Sequence, residues 1–262
     1  MSIKDEILRS VVIHYIGDET PIGSVQLQKE YALNISSATI RNHFKKLVLE
    51  GMLEQLHSSS GRIPTNEALI AFWTNEIKGN RPLQIRSTEG LKRSAERFNI
   101  YVSLQSDREN RLVKAEAYDE KYVILSFEEG VVTIPFNRAV ERFLREFSGL
   151  EMRELIRLSG QMGVSELTQA LIRFKKEHGF VRFNPSALIE IAHGNPEWSE
   201  RYFERYYSGE AAFWLKNGVN IDPTVPYGCL VGQHDCRLGD EDYILTYMGE
   251  ASRDYRSFLS SL

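Results

Sequence analysis

The most constraining feature of the chain is a tight run of helical stripes and turns within its first 66 residues. Segment 3–16, IKDEILRSVVIHYI, places apolar residues at 3, 7, 8, 11, 12, 15 and 16, the i, i+3, i+4, i+7 spacing of an amphipathic helix. Gly17–Gly23, with Pro21, ends it as a turn. Ser24 is the expected N-cap of a short helix, VQLQKEY. After the tight connection Ala32-Leu33-Asn34, Ser36 is the expected cap of SATIRNHFKKLVLE, which Gly51 closes. A strand over Met52–His57, a Ser-Gly turn and a return at Arg62-Ile63, ended by Pro64, then form a hairpin, and Thr65 or Asn66 caps a further helix. Three short helices followed at once by a hairpin predict a winged helix-turn-helix within residues 1–78.

On a helix wheel, Ile40, Phe44 and Leu47 fall within about 60° of one another, with Val48 beside them. They form the expected buried stripe. Arg41, Asn42, Lys45 and Lys46 occupy the other half. An α-helix fits the major groove of B-DNA, where Arg and Lys donate to guanine and Asn pairs with adenine. Ser36, Ser37 and Thr39 offer hydroxyls and free N–H groups at the helix start, which suit a phosphate. The hairpin His57, Ser58, Ser59, Ser60, Gly61, Arg62 supplies a tip of small residues and one arginine to reach phosphates or the minor groove. A basic, solvated helix face remains the plainer alternative for 36–50 taken alone.

Charge supports this only locally. The 262 residues carry a net charge of −4, and residues 1–78 hold eight Lys/Arg against nine Asp/Glu. Between Glu30 and Glu50, however, there is no acid, and Arg41, Lys45 and Lys46 stand together. A nucleic-acid footprint is such a patch rather than a total.

The remainder divides by composition. Lys78–Thr88 is polar with Pro82, and 79–98 is expected to be a linker. Four β-rich runs over 99–136 predict an antiparallel meander, 138–177 and 185–217 are helical with glycine breaks, and Pro226–Gly232 and Tyr243–Met248 are closing strands. Phe98, Tyr101, Tyr118, Tyr122, Phe127 and Phe136 suit a core or an interface. Cys229, His234 and Cys236, spaced C-x4-H-x-C, offer three metal ligands where a closed zinc site wants four, so buried thiols are expected. His14 is expected to pack. No apolar run approaches the ~18–20 residues of a membrane span, the first six residues lack a signal-peptide layout, and a cytoplasmic protein is expected. No catalytic set or cofactor motif stands out, and neither an enzyme nor a cofactor is predicted.

Pro21-Ile22-Gly23-Ser24, Ala38-Thr39-Ile40-Arg41-Asn42, Leu49-Glu50-Gly51 and His57-Ser58-Ser59-Ser60-Gly61-Arg62-Ile63-Pro64-Thr65 resemble, in order, the marks of the bacterial heat-inducible transcription repressor family, HrcA. Ser58 and Ser60 stand where that family usually has Thr and Ala. Gly249-Glu250-Ala251-Ser252-Arg253-Asp254-Tyr255 is similar to its closing motif in degraded form. The resemblance implies an α+β chain, with a winged helix at 1–78 and a GAF-like domain at 99–262 carrying an inserted dimerisation segment. It also implies a homodimer that binds double-stranded DNA at an inverted repeat upstream of chaperone operons, is released by heat and is kept active by the GroE chaperonin. A small-ligand-gated winged-helix regulator is the alternative.

Overall fold

The computed structural model describes residues 2–57, 60–177, 179–221 and 223–262. It is a mixed α+β chain. The first helix, α1 (Ile3–Asp18), starts on a capping box: Asp5 N–H donates to Ser2 Oγ at 3.2 Å and Ser2 N–H to Asp5 Oδ2 at 3.0 Å. It runs two residues past the expected end, because Glu19 rather than Gly17 takes the left-handed C-cap conformation. Then come α2 (Ser24–Glu30), α3 (Ser37–Leu49) and the strand pair β1 (Leu53–Glu54) and β2 (Ile63–Pro64). Gly23, not Ser24, is the N-cap of α2. The ladder is only two residues long and contains Pro64, which a sheet edge tolerates. Ile7, Val11, Ile22, Leu27, Ile40, Phe44, Leu47 and Leu53 form the core of this unit.

Helix α4 (Asn66–Glu76), capped by Thr65 as one of the two expected residues, leads into the body. The expected linker 79–98 is instead ordered structure: β3 (Leu83–Ile85) and α5 (Thr88–Arg97). Its polar composition hides a short stripe, Ile85, Leu91 and Ala95, that is buried in the main core. β4 (Tyr101–Ser106) is not the first strand of a meander. It is buried along nearly its whole length and sits inside a six-stranded sheet.

Only β5 (Leu112–Tyr118), β6 (Tyr122–Phe127) and β7 (Val131–Pro135) form the meander. With α6 (Arg138–Arg145), α7 (Met152–Gln161) and α8 (Ser165–Glu177) they enclose a second core, to which Phe213 from further along the chain also contributes. The chain returns to the body at β8 (Phe180–Phe183), the direct antiparallel neighbour of β4. Residues 107–179 are therefore one excursion between two paired strands, pinched where Ser106 N–H meets the Gly179 carbonyl at 2.8 Å.

Next are α9 (Pro185–Gly194), α10 (Pro196–Tyr207), a 3₁₀ turn at Glu210–Phe213 and β9 (Gly218–Asn220). β10 (Cys229–Leu238), β11 (Glu241–Glu250) and α11 (Tyr255–Ser260) complete the chain. The large sheet runs β3-β10-β11-β4-β8, with β9 also on β10. One face packs on α4, α5 and α11 through Trp73, Leu91, Tyr247, Tyr255 and Phe258. The other packs on α9 and α10 through Tyr101, Leu188, Trp198, Val231 and Met248. Of the six aromatics expected in a core or interface, Tyr101 and Phe127 are buried, whereas Tyr118 and Tyr122 are exposed. Among the described residues no helix is long and apolar enough to cross a membrane.

Candidate nucleic-acid interface

Helix α3 is amphipathic in the sense that its sequence predicts. Ile40, Phe44 and Leu47 are buried, and Arg41, Asn42, Lys45 and Lys46 are exposed. No ion pair joins Arg41, Lys45 or Lys46 to a carboxylate among the described residues, so the three cations face solvent uncommitted. Val48, expected beside the buried stripe, is exposed, because the stripe is only three residues wide here.

The helix start is pinned by its own hydroxyls. Ser36 Oγ accepts from Thr39 N–H at 3.1 Å and shares a 2.9 Å hydrogen bond with Thr39 Oγ1. Ser36 is exposed, and Ser37 and Thr39 are half-buried. His43, half-buried, has an Nδ1 with no partner.

Ser58 and Ser59 lie outside the described residues. Around them, His57 is exposed, and its N–H donates to Ser60 Oγ at 2.9 Å while its carbonyl accepts from that hydroxyl at 2.7 Å. The hairpin is attached by a contact the sequence did not signal. Ile22 and Arg62 exchange backbone hydrogen bonds of 3.0 and 2.9 Å, which adds the turn before α2 to the pair β1-β2. Gly61 makes that approach possible, since a Cβ there would lie 2.5–2.7 Å from the Ile22 backbone.

Arg62 does not project from the hairpin. Its Nη1 donates to the carbonyls of Ser60 and Gly61 at 3.2 and 3.3 Å, and its guanidinium lies over the Phe44 ring, 5.9 Å from the centroid. Its Nε is buried without a partner, and burial lowers its pKa from the usual arginine value.

His14 is buried, as expected, but it also closes a polar junction between α1 and α2. Its Nδ1 lies 3.2 Å from Asp18 Oδ2 and 3.3 Å from Glu30 Oε2, and Nε2 lies 3.3 Å from Thr20 Oγ1. The three candidate metal ligands do not converge. Strand periodicity sends Cys229 to the opposite face of β10 from His234 and Cys236. Both thiols are buried, and burial pushes them up to about 12. No group of three or more His, Cys, Asp or Glu suited to a metal occurs among the described residues.

These features define a mixed α+β protein in which a small helical unit with an exposed cationic helix face is carried on a sheet-centred body. Residues 73–262 match the family model of the HrcA C-terminal domain. The chain belongs to the HrcA family. Relatives named heat-inducible transcription repressor HrcA in two strains of Helicobacter pylori are each 26% identical over 261 residues, covering 99% of this chain and 94% of the relative. One of the same name in Corynebacterium diphtheriae is 40% identical over 88 residues, 34% of this chain and 25% of the relative. A solved structure described as a hypothetical protein shares the fold, with a TM-score of 0.51 and 18% identity over 100% of this chain and 96% of that one.

Proposed function

We propose that the chain is a homodimeric transcriptional repressor that binds an inverted-repeat operator upstream of chaperone operons. It lets go on heat stress and is kept competent by the GroE chaperonin. The observation that carries the DNA-binding part is the exposed face Arg41, Asn42, Lys45 and Lys46, opposite a buried Ile40, Phe44 and Leu47. Three uncommitted cations and an amide on one rigid helix suit major-groove readout. In this reading residues 1–78 are a winged helix, α3 is the recognition helix and residues 57–62 are the wing. Ser36, Ser37 and Thr39 lie toward the phosphates, with His57, Ser58, Ser59, Ser60 and Gly61 along the wing.

The rest of the chain is the GAF-like regulatory part, and the excursion 107–179, built around a second core that Phe213 completes, is the dimerisation insert. A two-fold protein reads a palindrome, with half-site spacing set by the separation of its two recognition helices. The name carried by the Helicobacter pylori relatives supports repression under heat control. Footprinting on a chaperone-operon promoter tests the reading: protection of an inverted repeat, strengthened by chaperonin and lost on heating, is expected. Absence of sequence-specific protection would contradict it.

A further inference from the structure

Arg62 is the only Lys or Arg between Gln55 and Pro64. If the wing neutralises a phosphate, this residue must do it. The structure turns it the other way. The guanidinium covers Phe44, a buried residue of α3, and is held in place by the two carbonyls of its own turn. The backbone of the same residue pairs with Ile22. One residue thus links the wing to the recognition helix by its side chain and to the turn before α2 by its main chain.

We propose that Arg62 is a positioning residue: its guanidinium lies on the Phe44 ring to set the wing against α3, and it is not a phosphate ligand. This rests on the DNA-binding reading above. One guanidinium nitrogen, Nη1, donates to both carbonyls while the cation lies over the ring. A lysine ammonium could make the two hydrogen bonds, but as a compact, strongly hydrated point charge it is the poorer partner for an aromatic face. The wing then contributes hydroxyls, backbone N–H groups and His57, and releases no counterion. The cationic contacts all belong to α3.

Salt dependence separates the two roles, because each neutralised phosphate adds about 0.9 to the slope of log affinity against log salt. The experiment titrates a fluorescent operator duplex with the full chain over a salt series, and maps hydroxyl-radical protection. It compares the parent with Arg62→Ala, Arg62→Lys, Phe44→Leu and Lys45→Ala. Arg62→Ala is expected to weaken binding roughly tenfold with the slope unchanged, and to lose protection at the nucleotides flanking each half-site while the half-site itself stays protected. Arg62→Lys should fail to rescue it. Phe44→Leu, a near-isovolumetric change, should reproduce both effects, and the double variant should be no worse than either single one. Lys45→Ala should lower the slope.

A slope that falls by about 0.9 per head in Arg62→Ala, restored by Arg62→Lys, would overturn the proposal, and so would unchanged affinity or uniform loss of protection. Failure of the parent to bind any duplex would instead remove the underlying reading, and the proposal with it.

Discussion

Trp73 donates its indole Nε1–H to the carbonyl of Ala251 at 2.8 Å, a buried bond that ties α4 to the turn after β11. Its ring also meets Tyr255 edge-on at 5.3 Å. Together with Val12, Leu69 and Ala251, which form a small cluster beside it, this makes α4 the joint between the first helical unit and the body. Trp73→Phe leaves the carbonyl unpaired and should cost about 1–3 kcal/mol. Denaturation followed by intrinsic fluorescence and by circular dichroism checks this, and the variant should also separate the melting of the two parts.

A second ionic joint lies nearby. The Glu76 carboxylate accepts from Arg9 of α1 and Arg256 of α11, and the Arg9 hydrogen bond, then that from Arg256, holds its pKa below the usual carboxylate value against the opposing effect of burial. A depressed folded pKa gives stability that is present above the ordinary glutamate value of about 4.3 and lost as pH falls through the lower folded value. The parent should therefore lose stability on acidification over that window. Glu76→Gln should flatten that part of a melting-temperature profile and lie below the parent at neutral pH.

Leu47 is buried and Leu49, two residues on, is 87% exposed. Leu47→Ala should destabilise the chain by about 2–5 kcal/mol, whereas Leu49→Ala should stay within about 0.5 kcal/mol of the parent. Chemical denaturation distinguishes them. Equal effects would mean that α3 is rotated from the orientation that presents Arg41 and Lys45.

Gly61→Ala would press a methyl group into the Ile22 backbone. The hairpin should detach from the turn before α2 while the helices persist. Helical dichroism should stay within a few per cent of the parent, about the size of a local change, and affinity for operator and random duplex should fall together.

The helices of the first unit were legible because a 3.6-residue apolar period survives in each of them. The orientation of Arg62 was not, since a cation over a ring depends on where a hairpin folds back, and nothing local in SSSGRIP encodes it. β4 misled for a related reason. Ser103 and Gln105 give it the alternation of a half-exposed strand, yet both of its faces are covered and both residues are buried. The segment 79–98 failed through composition: Pro82 and many charges outweigh three buried apolar positions. The split of Cys229 from His234 and Cys236 follows from strand periodicity once β10 is known to be continuous through all three.

In the proposed function the face Arg41, Asn42, Lys45 and Lys46 reads duplex DNA. Anisotropy titration of the parent, Arg41→Ala and Asn42→Ala against an inverted-repeat duplex from a chaperone promoter and a scrambled duplex tests it most directly. The parent should prefer the repeat, and each variant should lose about 1–3 kcal/mol of that preference while binding to the scrambled duplex changes far less. Variants that keep the parent's preference would contradict it.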